Sequence, residues 1–117
     1  DSGGVVYYAN YLKYLEEART EFLEQQGLSV EEFRRRGMIY AVRKCNVTYR
    51  SPARYGDVLS CNAVLIKVTA AQLFFEQKIF HKESSRLLVE ADVVLVSLSK
   101  DFKPAEIPDD LRKRLTQ

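Results

Sequence analysis

The longest segment with helical periodicity spans residues 9–26. Its apolar side chains recur at steps of three and four and form one stripe: Tyr11, Leu12, Leu15, Ala18, Phe22 and Leu23. This spacing is typical of an amphipathic helix with one face in a core. Gly27 follows, and glycine is favoured just after a helix because it adopts a left-handed backbone without strain. We therefore predict a helix over 9–26 that Gly27 ends.

A second, shorter helix is predicted over residues 30–36. Ser29 is a favourable N-cap residue, and Glu32 stands three residues later, which is the spacing of a capping box. Gly37 then ends this helix, as Gly27 ends the first.

From Met38 the periodicity changes from helical to alternating. One set of side chains (Ile39, Ala41, Cys45, Val47, Tyr49) alternates with a second (Tyr40, Lys44, Asn46, Thr48). Pro52 and Gly56 bracket a connection, and further strands are predicted over 57–69, 72–82 and 87–99, with a polar turn at 81–86. The last strand is almost continuously apolar, which predicts a central place in the sheet.

Pro104 and Pro108 mark an irregular tail before a last helical turn over 109–115. The predicted order is one long helix, one short helix and then four strands. An antiparallel sheet wrapped around a helix buries the apolar faces of both, so the predicted fold class is α+β.

Length and composition indicate the number of domains, the class of partner and the compartment of this protein. A chain of 117 residues predicts one domain over 1–117, and a formal net charge of +2 does not favour nucleic acid as a partner. No segment has the roughly 18 apolar residues that a membrane span needs, and no signal peptide is evident. Cys45 and Cys61 have no metal-ligand spacing and form no disulfide framework. We interpret them as reduced strand thiols, which favours the cytoplasm.

The residues that carry candidate chemistry are concentrated at the start of the chain. Asp1 precedes a turn with Gly3 and Gly4, and this turn leads into the first helix. A carboxylate before a helix can act as a base or a nucleophile, and the free N–H groups of the helix start can hold a developing oxyanion. Both halves of an acyl-transfer site would then lie within one short segment. The alternative is a terminal acid without a role.

Three motifs carry a resemblance to a known family. Residues 1–19 read D-x-x-G-x-V-x-x-x-x-Y-L-x-x-x-E-x-A-R, residues 49–57 read Y-R-S-P-A-R-Y-G-D, and residues 107–112 read I-P-D-D-L-R. Together they resemble hotdog-fold thioesterases of the 4-hydroxybenzoyl-CoA thioesterase family, and its YbgC-type acyl-CoA thioesterases in particular. The resemblance implies a hotdog fold in one domain. The family pattern includes a strand before the Asp, so we expect the first strand to be absent from this chain.

The resemblance also implies roles for residues near the helix start. Asp1 takes the place of the catalytic carboxylate, and the backbone N–H of Tyr8 would polarise the thioester carbonyl. Tyr8 stands where the YbgC-type group commonly has His, which disfavours a mechanism that needs an imidazole there. Glu16 matches a secondary acidic position close to the acyl group; the alternative is a surface acid that pairs with Lys13 or Arg19.

Further residues are assigned to substrate binding. The assigned set is Gly3, Gly4, Val6, Asn10, Tyr11, Arg50, Arg54 and Lys82. Tyr11 is either a wall of the acyl pocket or a core residue. The cations would hold the phosphates of CoA, although residues 34–36, all arginine, are equally open to that role or to a solvated helix face.

Other reaction classes find little support in the sequence. His81 is the only histidine and is interpreted as a surface residue with no acid at catalytic spacing, which disfavours a hotdog dehydratase. G-x-S-x-G, G-x-G-x-x-G and P-loop motifs are absent.

We therefore expect an acyl-CoA thioesterase without a metal or redox cofactor, in a homodimer or homotetramer. The alternatives are a thioesterase or binding module that works on acyl carrier protein, and a catalytically silent hotdog domain that senses acyl-CoA or holds a complex together. The acyl group stays open, because a register shift of one residue changes which side chains face the pocket.

Overall fold

The computed structural model describes residues 8–116, and side-chain surroundings from Asn10 onward. In chain order this part contains the following elements: α1 (Tyr8–Gln25), α2 (Val30–Arg35), β1 (Met38–Tyr49), β2 (Leu59–Cys61), β3 (Val64–Val68), β4 (Gln72–His81), β5 (Leu87–Ser99) and α3 (Asp109–Leu115). The predicted order of elements is confirmed with one correction. The single strand expected over 57–69 is wrong, because an interruption at 62–63 divides it into β2 and β3.

The ends of the two leading helices follow the predicted signals. After α1, the Leu28 N–H donates to the Leu23 carbonyl at 2.8 Å and the Gly27 N–H donates to the Glu24 carbonyl at 3.0 Å. Gly27 has a φ of 80°, so this pair of bonds is a Schellman motif. At α2, the Ser29 hydroxyl accepts the Glu32 N–H at 3.1 Å. The Glu32 carboxylate pairs with Arg35 and Arg36 instead of returning to Ser29.

The described strands form one antiparallel sheet. Its order is β1-β5-β4-β2, and β3 also pairs with β4, beyond the end of β2. β5 lies between β1 and β4 and pairs with both along almost its whole length, which confirms its predicted central place. β1 pairs with β5 along one edge, and its other edge has no partner strand within residues 8–116.

A bulge in β1 overturns the predicted alternation of that strand. Val42 is opposite Leu95, but Lys44 is opposite Val94, so Arg43 is an extra residue. Side chains after Arg43 therefore lie on the face opposite to the one that uninterrupted alternation predicts. Cys45, Val47 and Tyr49 share the helix-facing side with Tyr40 and Val42, whereas Ile39 and Ala41 lie on the opposite side.

The core lies between α1 and the sheet. Leu15 and Leu23 on the helix are buried with Leu73, Phe75 and Ile79 on β4. Phe22 packs edge-on against the Phe75 ring at 5.7 Å. One predicted core position is wrong, because Leu12 is 42% exposed, and Arg19 is buried in the same stripe at 7% exposure.

α2 and α3 close the end of the core at which α1 terminates. The Phe33 ring of α2 stacks on Tyr40 of β1 with 3.8 Å between centroids. The Arg36 guanidinium binds both carboxylate oxygens of Asp110 at 3.1 and 2.7 Å, which joins α2 to α3. This pairing is bidentate and solvent-exposed. None of the helices within 8–116 is both long and apolar enough to cross a membrane.

Candidate active site

The start of α1 is the centre of the candidate site. The helix begins at Tyr8, so the N–H of Tyr8 belongs to the first turn, whose N–H groups have no acceptor within the helix. Such groups can stabilise negative charge on a carbonyl oxygen. Asp1, Gly3, Gly4 and Val6, which were assigned to catalysis and substrate binding, lie outside the described residues.

A buried hydrogen bond brings the second motif to this helix end. The Tyr11 hydroxyl accepts the Ala53 N–H at 3.1 Å, and its ring lies 5.7 Å from the ring of Tyr49. Tyr11 is 3% exposed and Ala53 is fully buried. Tyr11 is thus a core residue that fixes the connection after β1 against the first turns of α1. The 49–57 motif and the helix start therefore form one region.

A cluster around Asp57 closes this connection. The Arg54 N–H donates to Asp57 Oδ2 at 2.8 Å, and His81 Nε2 lies 3.6 Å from Asp57 Oδ1. The Arg54 N–H, supported by His81, holds the pKa of Asp57 below its ordinary value. The sequence shows no acid at catalytic spacing from His81, and the contact with Asp57 was not predicted. The two residues are 24 positions apart in the sequence and meet only because β2 pairs with β4.

The polar turn after β4 holds the other side of the His81 ring. Nδ1 accepts the Ser84 N–H at 3.2 Å, and the Ser84 hydroxyl lies 3.1 Å from the same atom. An Nδ1 that accepts an N–H leaves the ring proton on Nε2, facing Asp57. The two contacts tie the 82–85 turn to the 54–57 connection.

The predicted phosphate-binding cations differ in their availability. Arg50 is bound to Glu90, with Nε 2.7 Å from the carboxylate. The side chains of Arg54 and Lys82 are exposed and are in no ion pair within the described part of the chain. Both lie at the end of the sheet that carries the connection, because the Lys82 N–H donates to the Val58 carbonyl at 2.9 Å. Arg36, the last residue of the basic run 34–36, forms an ion pair with Asp110 of α3.

The remaining predicted residues lie along α1. Asn10 is exposed in its first turn, and Glu16 is exposed two turns further on. Glu16 lines a cavity of about 220 Å³ together with Arg19, Tyr40 and Leu95, among others. This placement is compatible with a position beside an acyl group.

A buried polar network was missed in the sequence. Arg19 Nη1 donates to Gln77 Oε1 at 2.9 Å, and Gln77 Nε2 donates to the carbonyls of Leu15 and Asn62, both at 3.0 Å. Burial lowers the pKa of Arg19 from its ordinary value, but a guanidinium stays protonated. The available signal was the spacing of Arg19, four residues from both Leu15 and Leu23 in the apolar stripe.

The two thiols are free and lie in strands, as predicted. Cys45 is exposed in β1, and burial raises the pKa of Cys61 in β2 to about 11, so that thiol is protonated at neutral pH. Among the described side chains, no three of His, Cys, Asp and Glu come together in a way that could hold a metal ion.

The sequence matches a known family and several of its members. Residues 1–115 match the thioesterase-like superfamily. The chain is 35% identical over 112 residues to the acyl-CoA thioester hydrolase YbgC of Escherichia coli, covering 95% of this chain and 83% of that protein. It is 32% identical to the chloroplastic acyl-acyl carrier protein thioesterase ATL3 of Arabidopsis thaliana, covering 97% of this chain and 60% of that protein.

The fold has close counterparts among solved structures. The crystal structure of the hypothetical protein TT1821 from Thermus thermophilus superposes with a TM-score of 0.89 at 31% identity, covering 99% of this chain and 88% of that one. The arrangement of one long helix on an antiparallel sheet is therefore shared along almost the whole chain.

Proposed function

The chain belongs to the thioesterase-like superfamily, and from this membership we propose that it hydrolyses acyl-CoA thioesters to a free acid and CoA. The observation that carries the proposal is the 35% identity to YbgC, which is named an acyl-CoA thioester hydrolase, over 95% of this chain. The fold adds support, because it brings the motif at residues 49–57 to the start of α1 through the Tyr11–Ala53 hydrogen bond.

In the proposed reaction the first turn of α1 binds the thioester carbonyl. The Tyr8 N–H donates to the carbonyl oxygen, which becomes negatively charged when the carbonyl is attacked. Asp1 supplies the carboxylate, and Gly3 and Gly4 let the backbone approach the thioester closely. The bond between carbon and sulfur breaks, CoA leaves as the thiol, and water provides the oxygen that enters the acid.

Asp1 is proposed to act as a general base toward water. As a nucleophile it would form an anhydride, which water would then have to hydrolyse within the site, whereas direct attack by water needs one step fewer. A single turnover in ¹⁸O-labelled water, with enzyme in excess, separates direct attack from the route in which water attacks the Asp1 carbonyl of the anhydride. Direct attack places the label in the first acid product. Label in the peptide that carries Asp1, with unlabelled acid from the first turnover, would instead make Asp1 the nucleophile.

Arg54 and Lys82 are proposed to bind the phosphates of CoA. Both are exposed cations at the same end of the sheet as the connection, and neither is in an ion pair within residues 10–116. Arg50 is the weaker candidate, because its guanidinium already binds Glu90. Replacing Arg54 or Lys82 should therefore raise KM more than it lowers kcat.

The activity is tested with a panel of acyl-CoA thioesters that differ in chain length and include aromatic acyl groups. Release of free thiol reports hydrolysis. We expect turnover of at least one acyl class with a kcat/KM in the range of ordinary enzymes, about 10⁴ M⁻¹ s⁻¹ or more. Binding of CoA without turnover of any thioester would favour a silent acyl-CoA-binding domain.

The likeness to ATL3 supports a second candidate, a thioesterase that acts on acyl carrier protein. The same panel presented as acyl-acyl carrier protein thioesters separates the two. A kcat/KM higher for the carrier-bound form of one acyl group than for its CoA form would favour this candidate.

A further inference from the structure

A cavity of about 220 Å³ lies between α1 and β1, next to the point where α2 begins. It is apolar at its inner end, where Leu23, Leu28 and Leu95 contribute. Four side chains that can form hydrogen bonds also line it: Glu16, Arg19 and Thr20 from the helix, and Tyr40 from β1. A cavity of this composition can hold an apolar chain with a polar end.

Tyr40 and Arg19 can each form more hydrogen bonds than they make with the described residues. The Tyr40 hydroxyl is buried and has no hydrogen-bond partner within the described part of the chain. Arg19 is 7% exposed, and between residues 10 and 116 no carboxylate lies within 4 Å of its guanidinium. Its one hydrogen bond with a described residue, to Gln77, uses one of five N–H donors. Buried polar groups of this kind normally have partners.

Exposed apolar side chains of α1 and β1 lie between this cavity and the start of α1, and this surface is called the trough. One flank of the helix presents Leu12, which is 42% exposed, one turn before Glu16. The facing side of β1 presents Tyr49 and Val42, which are 46% and 53% exposed. The Tyr11–Tyr49 contact places one end of the trough at the candidate active site. Because α1 and β1 run in opposite directions, Tyr40 lies at the other end.

We propose that this trough and cavity bind a long acyl chain with a hydroxyl group at its far end. The proposal rests on the thioesterase function proposed above. From Tyr8 to Arg19 the helix rises about 16 Å. An extended chain with carbon–carbon bonds near 1.5 Å advances about 1.25 Å per methylene. About twelve carbons therefore span the distance from the thioester to the cavity.

The side chains of Glu16, Arg19 and Tyr40 distinguish a hydroxyl from other chain ends. A hydroxyl can accept from the Arg19 guanidinium and donate to the Glu16 carboxylate or to the Tyr40 oxygen. A methyl end would leave, within residues 10–116, the Tyr40 hydroxyl without a partner and the Arg19 guanidinium with Gln77 alone. A carboxylate end would meet the negative charge of Glu16, which is close enough to raise the pKa of Arg19 and so offset part of its burial.

The experiment compares hydrolysis of dodecanoyl-CoA and 12-hydroxydodecanoyl-CoA, with hexanoyl-CoA as a substrate too short to reach the cavity. Two hydrogen bonds, each contributing roughly a factor of five, predict a kcat/KM about 25-fold higher for the hydroxylated chain. Tyr40→Phe should reduce this preference to about fivefold. It should not lower the temperature of unfolding, because removal of a buried hydroxyl that has no partner among the described residues loses no hydrogen bond with them in the ligand-free protein. Tyr14→Phe, on the opposite flank of α1, is the matched control.

Each outcome bears on the inference. Equal kcat/KM for the two long chains, or a preference that Tyr40→Phe does not change, would overturn it while hexanoyl-CoA turnover keeps the proposed function. If no acyl-CoA is hydrolysed, the proposed function fails, and calorimetric titration of free 12-hydroxydodecanoate against dodecanoate decides the inference alone. Tighter binding of the hydroxy acid, reduced by Tyr40→Phe, supports it, and equal binding overturns it.

Discussion

Tyr11 connects the two sequence motifs that matter most for the proposed site. Its ring is part of the core, and its hydroxyl accepts the buried N–H of Ala53. From the sequence, Tyr11 could be placed on the buried face of a helix by spacing alone. Its partner could not, because Ala53 lies 42 residues away and contributes only a backbone group. Contacts between a side chain and a distant backbone leave no pattern in the sequence.

Tyr11→Phe should lower the free energy of unfolding by about 1–3 kcal/mol, because it leaves the buried Ala53 N–H without an acceptor. The same change should lower kcat/KM, since the 50–57 connection is no longer held against α1. Urea unfolding and thiol-release kinetics measure the two effects. Tyr55→Phe, at an 81% exposed tyrosine in the same connection, should change neither. A stable and fully active Tyr11→Phe variant would show that the hydrogen bond does not position the connection.

Arg19 shows that residue type alone does not identify the buried positions of α1. The apolar stripe of α1 was predicted from its apolar members, and Arg19 sits within that stripe at helical spacing, yet a charged residue is seldom expected in a core. It is accommodated because Gln77 on β4 accepts from it. Leu12, by contrast, matches the stripe but lies on a flank that no described element covers. The helix could be predicted from the sequence, but which residues on its apolar side are buried could not.

At the scale of elements, Gln77 links three parts of the fold. It accepts from Arg19 of α1 and donates to the Leu15 carbonyl and to the carbonyl of Asn62, which lies between β2 and β3. Asn62 also accepts the Lys78 N–H through its side chain at 2.7 Å. The interruption of the predicted 57–69 strand is therefore stabilised by specific hydrogen bonds.

Gln77→Ala should destabilise the fold by about 2–4 kcal/mol, because it leaves the buried Arg19 guanidinium without its acceptor. Denaturant unfolding monitored by circular dichroism measures the loss. Lys78→Ala, at the adjacent exposed position on β4, should remain within about 0.5 kcal/mol of the parent chain. An equal loss in both variants would assign the effect to the strand and not to the network.

The β-bulge at Arg43 explains the largest error in the predicted strands. Alternation of side chains fixes the faces of a strand only while its register is continuous. The extra residue exchanges the faces halfway along β1, so the predicted grouping of Ile39 and Ala41 with Cys45 fails. The bounds of β5 and α3, in contrast, were predicted to the residue, because polar turns and prolines flank them.

The Asp57 cluster predicts how the stability of the connection depends on pH. The pKa of Asp57 is lowered in the folded protein by the Arg54 N–H, and His81 and Arg86 face the same carboxylate. A lowered folded pKa contributes stability above the unfolded value of about 3.9, and this contribution is lost as the pH falls through the folded value.

Thermal unfolding of the parent chain and of Asp57→Asn should therefore differ at neutral pH and converge below about pH 4. The comparison is made from pH 7 down to pH 2. A gap that persists unchanged at the lowest pH, or that has already closed above about pH 5, would show that the Asp57 carboxylate is not the group responsible.

At the scale of the whole molecule, β1 presents an unpaired edge of twelve residues within the described sheet. Edges of this length are sites of strand pairing between chains. Beside this edge lies the trough, which is lined by the exposed side chains of Leu12, Val42 and Tyr49. We predict that two chains associate along β1. Light scattering at micromolar concentration should give at least twice the 13.5 kDa of one chain. A stable, active monomer would contradict this.

The central claim is that this member of the thioesterase-like superfamily hydrolyses acyl-CoA with the Asp1 carboxylate at the entry to α1. Steady-state thiol release by the parent chain and by Asp1→Asn tests it most directly, with Glu21→Gln as a control at an exposed acid of the same helix. We predict that Asp1→Asn lowers kcat by about 10²–10⁴ with an unchanged unfolding temperature, whereas Glu21→Gln retains full activity. Near-normal turnover by Asp1→Asn would contradict the account.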